Sequence, residues 1–337
     1  MELVENGNGN INGSENDNEN ENGNENEYVS INRRPPIYSR FFRAIRQYHV
    51  LYLMCIPGIT FFLLFRYFPM WGILVAFQDY NPWLGFWDSN WVGFAHFTRF
   101  FSSPNFGVLM RNTLLLSLYN IIFAFPAPII LALLLNEVRR AWFKRSIQTL
   151  IYIPHFISWV IIGSMTFMLL NSTGAINTLL GVFGVDPVPF LTSTSTFRSI
   201  MVIQGIWRGA GFGTIIFLAA LSGVDMEQYE AAIVDGASRW QQCWHITLPA
   251  LRTVVVLLLI LSMGSVLDTN FDQVILLSNA GNRSVSDVIE VFVFREGIVN
   301  GNFSFTTAIG LFQSLIGLVL VVAADRGAKA VGESGLF

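Results

Sequence analysis

The sequence predicts an all-α integral membrane protein with six transmembrane helices, and three observations carry that prediction. Of the 337 residues, 53% are hydrophobic and only 13% charged, and the mean hydropathy is +0.50. This composition excludes an ordinary soluble domain. Six apolar segments recur, each near the ~20 residues a helix needs to cross the hydrocarbon core. Lys and Arg are unevenly shared between them: the inner segments hold twelve, the outer ones four, and four lie in or at the ends of spans. Six spans put both termini on one side, and the asymmetry assigns that side to the cytoplasm of a plasma membrane. The net charge of −3 hides this, because eight of the 23 acids precede Tyr28, where there is no Lys or Arg.

Residues 1–28 are a tail rich in Asn, Glu and Gly, with Ile11 the lone large apolar residue between positions 5 and 27. Such a tract cannot bury enough surface to offset its ordering entropy and is expected to be disordered. Residues 29–48 form a basic cytoplasmic segment, with Arg33, Arg34, Arg40, Arg43 and Arg46 beside Tyr38, Phe41 and Phe42. Directly before an apolar span, this pattern reads as a topology signal at the lipid surface and not as a nucleic-acid site. Residues 49–107 hold the first span, 51–68, and an external loop. Arg66 is expected to snorkel to the headgroups. Trp71, Trp83, Trp87 and Trp91 read as an interfacial belt, in preference to an aromatic platform for sugar.

The remaining spans lie within 108–325. Span 108–135 contains Pro126 and Pro128 and should be kinked. A short inner loop with Glu137, Arg139, Arg140, Lys144 and Arg145 leads to span 147–170, where His155 is expected to hydrogen-bond between packed helices. An external segment, 171–197, precedes span 199–221, whose small residues from Gly209 to Gly213 suit close packing. Span 249–268 would place Asp268 ~28 Å along the helix from Pro249, and span 305–323 is the last. Residues 326–337 are a cytoplasmic tail. Cys55 and Cys243 read as ordinary thiols, with no disulfide or metal site.

The polar loop 222–249 reads as helix, turn, helix. Asp225 with Gln228, and Ser238 with Gln241, have capping-box spacing. Gly236 suits the left-handed end of the first helix, and Pro249 the first turn of the next span. Small Ala231, Ala232 and Ala237 permit close approach of another surface, and Glu230 and Asp235 are charges available to it.

Glu230-Ala231-Ala232, Asp235-Gly236-Ala237 and Ile246-Thr247-Leu248-Pro249 at this distance resemble the EAA loop of the permease subunits of binding-protein-dependent ABC importers. Further stretches are similar to the oligosaccharide and polysaccharide branch of that family. They include Phe77-Gln78-Asp79-Tyr80-Asn81-Pro82, Asn112-Thr113-Leu114, Tyr152-Ile153-Pro154-His155-Phe156 and Phe271-Asp272-Gln273. The resemblance covers about residues 49–325 and implies a type I (MetI-like) transmembrane domain. It also implies a second homologous permease, two cytoplasmic ATPases, an extracellular solute-binding protein and a carbohydrate substrate. The loop is then the coupling helix, with Glu230 as the charged contact to the ATPase.

No Walker motif occurs in the chain. It is therefore expected to be no enzyme and to bind no cofactor, ATP and Mg²⁺ being used by the separate ATPase. Sugars need aromatic faces and hydrogen-bonding groups in a partly wet cavity. Trp159, Gln204, Trp207, Arg208, Asp268, Asn270 and Gln313 have that chemistry, and helix packing is the competing reading for each. An importer of a non-sugar solute, or an ion-coupled transporter using Asp268 or His155, remains an alternative.

Overall fold

The computed structural model describes residues 47–333 together with 335 and 336. The expected tail, most of the basic segment and two C-terminal residues lie outside the described residues. The chain divides into two compact units, Met1–Arg66 and Tyr67–Phe337. Within the first, α1 (His49–Phe62) has no buried residue, as suits an apolar helix that faces lipid. Among the described residues, six helices are long and apolar enough to cross a membrane: His49–Phe77, Phe106–Asn136, Trp159–Val182, Thr194–Leu221, Arg239–Gly264 and Phe303–Ala330.

The second unit opens with a 3-10 segment, Phe68–Phe77, so the apolar run reaches nine residues past the expected end. Beyond it a short antiparallel pair, Gln78–Asp79 with Asn90–Trp91, encloses the tryptophan-rich loop. Trp71 packs edge-on against Phe86 and Trp87, while Trp83 is 95% exposed. Helices α2 (Ala95–Phe101), α3 (Phe106–Tyr119) and α4 (Pro126–Asn136) follow. The expected kink is a π turn, Asn120–Ala124, in which Phe125 N–H donates to Asn120 O at 2.8 Å. Pro126 has no N–H to offer the carbonyl four residues back, and widening the preceding turn relieves the ring clash. The same device ends two residues before Pro69, at Leu63–Tyr67, and before Pro249, at Cys243–Thr247.

Span 147–170 is corrected by the structure. Residues 141–152 form α5 (Ala141–Tyr152), an amphipathic helix with no buried residue. Pro154 sits in a 3-10 turn and the backbone extends at Ile157 and Ser158. Ser158 then caps a new helix, α6 (Trp159–Leu170), by accepting from Ile161 N–H. The hydropathy of residues 147–158 hid this break, which depends on proline and a serine cap. The segment 171–197 contains α7 (Ala175–Val182). Ser193 caps α8 (Thr194–Leu221), which therefore starts five residues before the expected 199.

After α9 (Met226–Val234) and α10 (Arg239–Gln242), α11 runs Leu248–Gly264. It stops short of Asp268: Ser265 leaves helical geometry at φ −112°, ψ 20°, so the continuous helix expected to Asp268 does not form. Short helices α12 (Phe271–Leu277), α13 (Arg283–Ser286) and α14 (Ile289–Phe294) precede α15 (Phe303–Ala330).

Helix α8 is the axis of the packing. Near its start Phe197 and Met201 join Leu116, Val274, Val285 and Val288 in one cluster. Near its end Phe217 and Leu221 join Ala132 and Leu251 in another. A third cluster gathers Phe100, Leu109, Ile289, Phe292, Phe305 and Ile309. Gly211 lets α8 meet α5, since a Cβ there would run into the Ile151 carbonyl. This is the close contact expected of small residues in membrane helices.

Candidate functional site: an exposed helical loop and a polar interior

The loop between α8 and α11 is built by short-range chemistry. Asp225 Oδ1 accepts from Glu227 N–H at 3.0 Å and caps α9. Gln228 does not reach back, so the expected box is a single-sided cap here. Gly236 has φ +77°, and Ala237 N–H donates to Ala232 O at 2.8 Å, which closes α9 in the manner of a left-handed C-terminal glycine. At Ser238 the capping box is complete: its Oγ accepts from Gln241 N–H, and Gln241 Oε1 accepts from Ser238 N–H at 2.7 Å. Pro249 lies in the first turn of α11, and Ile246 in the π turn before Leu248 opens that helix.

Side chains then fix the loop to the spans. Tyr229 and Thr247 share a 3.0 Å hydrogen bond, and Gln242 Nε2 donates to Ala237 O at 2.9 Å. Arg239 pairs with Glu137 at 3.4 Å across to the end of α4. What remains outside is α9. It has no buried residue; Glu230, Ala231, Asp235 and Gly236 are exposed, Ala232 and Ala237 partly so, and Val234 is 87% exposed. Four carboxylates, of Asp225, Glu227, Glu230 and Asp235, stand on this segment, and Arg239 is the first base after them. An exposed, rigid, acidic helix with two flanking alanines can fill a groove that carries basic groups.

The residues expected along a substrate path are dispersed. Trp159 and Arg208 come together: the guanidinium lies 4.7 Å from the indole centroid and its Nε donates to Ile157 O at 3.1 Å. This cation–π contact braces the start of α6 against α8. Gln204 is buried, donates to Thr166 Oγ1 and accepts from Gln273 Nε2 at 2.9 Å. It also borders a cavity of about 360 Å³, but its amide joins α6, α8 and α12. Trp207 is 45% exposed. Asp268 borders a separate cavity of about 180 Å³ with Ser117, Asn120, Ser262 and Ser265. Gln313 borders a third, of about 360 Å³, with Glu290 and Phe271. Asn270 is exposed and caps α12 from left-handed backbone, φ 63°, without a side-chain bond. His155 does not make the expected hydrogen bond through Nδ1, which is buried without a partner. Its ring instead stacks on Phe212 at 3.9 Å and 5°, because the turn around Pro154 lays the imidazole flat on α8.

Three groups were missed from sequence. Glu290, in the expected external segment, holds the turn at Asp268–Asn270: its Oε2 accepts from Thr269 N–H and Oγ1 at 2.9 and 3.0 Å. Burial raises its carboxyl above the usual range, the Thr269 bonds oppose that, and Asp268 and Asp272 add to it. Tyr229 and Thr247 are the others. Their eighteen-residue separation carries no local signal, since only the fold of the loop brings them together.

Six apolar helices, a rigid acidic loop at one end of α8 and cavities lined by hydroxyl, amide and acid groups define an integral membrane permease. The chain belongs to the family described as binding-protein-dependent transport system inner membrane component, whose model matches residues 124–333. It is similar to protein LplB of Bacillus subtilis, 52% identical over 87% of this chain and 93% of that one. It is also 52% identical to the polygalacturonan/rhamnogalacturonan transport system permease protein YteP of the same organism, over 86% and 91%. A crystal structure of a bacterial alginate ABC transporter, in complex with an alginate pentasaccharide-bound periplasmic protein, contains a chain that superposes with a TM-score of 0.81. The identity is 37%, over 88% of this chain and all of that one.

Proposed function

We propose that this chain is one of two permease subunits of an ATP-driven importer that moves an oligosaccharide or polysaccharide fragment across the plasma membrane. The observation that carries the reading is the loop 222–249: an exposed helix, capped at both ends, bonded to the spans and left without a covering surface. A separate ATPase docks there through Glu230, with Ala231, Ala232 and Ala237 allowing close fit and Gly236 making the turn. ATP and Mg²⁺ belong to that ATPase. Closure of the ATPase pair moves α9, and the Tyr229–Thr247 and Arg239–Glu137 contacts pass the motion to α11 and α4. The spans then alternate between inward- and outward-facing states, and a solute-binding protein delivers the sugar from outside. Both termini and the loop lie in the cytoplasm, consistent with the Lys and Arg asymmetry. The carbohydrate assignment is supported by the relatives named for polygalacturonan and alginate.

Co-purification of the tagged chain from its native membrane tests the reading, with wild type beside Glu230→Ala and Gly236→Val. The wild type should bring an ATPase and a second permease. Both variants should insert normally, lose the ATPase and lose at least ten-fold in uptake. A chain that purifies alone, and drives uptake that collapses with an ion gradient, would be a secondary transporter.

A further inference from the structure

The start of α8, at the opposite end of that helix from the coupling loop, borders a cleft of about 530 Å³. Helix α3 and its π turn contribute Tyr119 and Phe123, whose ring centroids lie 6.2 Å apart. Helix α8 contributes the hydroxyls of Thr194, Ser195 and Ser199, together with Arg198. The guanidinium is held by a neutral group: Arg198 Nη2 donates to Asn112 Oδ1 at 3.1 Å. Asn112 is fully buried, and its amide nitrogen donates to Ser284 O and Asp287 O at 3.0 and 3.1 Å. These two bonds leave Oδ1 facing Arg198, so the cation is oriented without being neutralised. Arg198 takes part in no ion pair among the described residues, and its buried Nε has no hydrogen-bond partner.

Arg198 is partly buried at the edge of the cleft, so its guanidinium is positioned, carries no counter-ion and is reachable by an anion. Arginine presents a planar fork that suits a carboxylate. Aromatic faces and several hydroxyls in the same cleft suit a pyranose ring. The geometry points to a subsite for a uronate, the carboxylated sugar of an acidic oligosaccharide, with Arg198 as the group that selects the charge and Asn112 as its positioning residue. This rests on the carbohydrate-import reading and narrows it from sugars in general to acidic ones. At this end of α8 the subsite meets the sugar on the side from which the importer receives it.

The test uses the complete importer in proteoliposomes, with a solute-binding protein and external oligosaccharide. Initial uptake of trigalacturonate is compared with that of its fully methyl-esterified form, which keeps the rings and removes the charge. The wild type should prefer the acid by about ten-fold, the size expected of one charge-assisted contact. Arg198→Gln should bring the ratio within about two-fold of one, and Arg198→Lys should keep an intermediate preference. Because each ratio is internal to one preparation, a lower yield of variant does not distort it. Thr194→Trp, which fills the cleft from an exposed position, should lower uptake of both compounds at least ten-fold. Equal uptake of acid and ester by the wild type overturns the inference, as does a wild-type ratio in Arg198→Gln or full uptake in Thr194→Trp. Wild-type uptake of neither compound, nor of any neutral oligosaccharide, overturns the carbohydrate reading itself.

Discussion

Asn270 is the one non-glycine among the described residues with positive φ, at 63°. Left-handed backbone costs most residues about 1–2 kcal/mol, and Asn tolerates it better than branched side chains. The turn survives because Glu290 accepts two hydrogen bonds from Thr269, next to it. Asn270→Gly should leave thermal stability unchanged or slightly higher, whereas Asn270→Val should cost about 1–2 kcal/mol. Melting of the purified protein in detergent distinguishes them, and equal melting of both variants would show the turn to be unstrained. Asn270 was legible in sequence only as a polar residue near a span end. Its conformation follows from the stop of α11 at Gly264, four residues before Asp268, which no hydropathy pattern marks.

Among the elements, α9 and α10 are those the sequence described best. Caps, a left-handed glycine and a helix-opening proline are local devices, so their spacing suffices to place them. Replacing Ser238 by Ala removes the acceptor for Gln241 N–H and should destabilise the start of α10 by about 1 kcal/mol. Amide exchange at Arg239–Gln242 should accelerate by about five-fold while that of α8 is unchanged. Unaltered exchange in α10 would mean that Tyr229–Thr247 and Gln242–Ala237 hold the loop without the cap. The third span was less legible. Residues 147–158 are apolar enough to extend a membrane helix, yet Pro154 and the Ser158 cap divide them between α5 and α6. A hydropathy window averages over such a break, so the expected span 147–170 runs through Pro154 without interruption.

Over the whole molecule, a few polar groups join segments that are far apart in the chain. Glu290 is half-buried and lies outside the six spans, and its carboxyl is raised above the ordinary 4.5, first by burial. A raised carboxyl binds its proton more tightly when folded. It therefore favours the fold at low pH, and that contribution is lost as pH rises from the ordinary value through the raised one. Glu290→Gln keeps an acceptor for Thr269 and removes the charge, so its melting temperature should fall less than that of the wild type across this window. Identical pH profiles would show that the carboxylate is well solvated.

Composition and the positions of Lys and Arg determined by themselves that this is a six-helix membrane protein, because burying backbone in lipid leaves few alternatives to helices of one length. The helix–turn–helix shape of loop 222–249 was determined equally early, since caps and turns act over three or four residues. Tertiary structure alone decided which polar side chains meet: Arg208 with Trp159, Gln204 with Gln273, Glu290 with Thr269, and Arg198 with Asn112. Those pairs lie 21 to 86 residues apart in the chain. Only the packing of α3, α6 and α12 against α8, and of α14 beside the turn after α11, brings them within hydrogen-bonding or van der Waals reach.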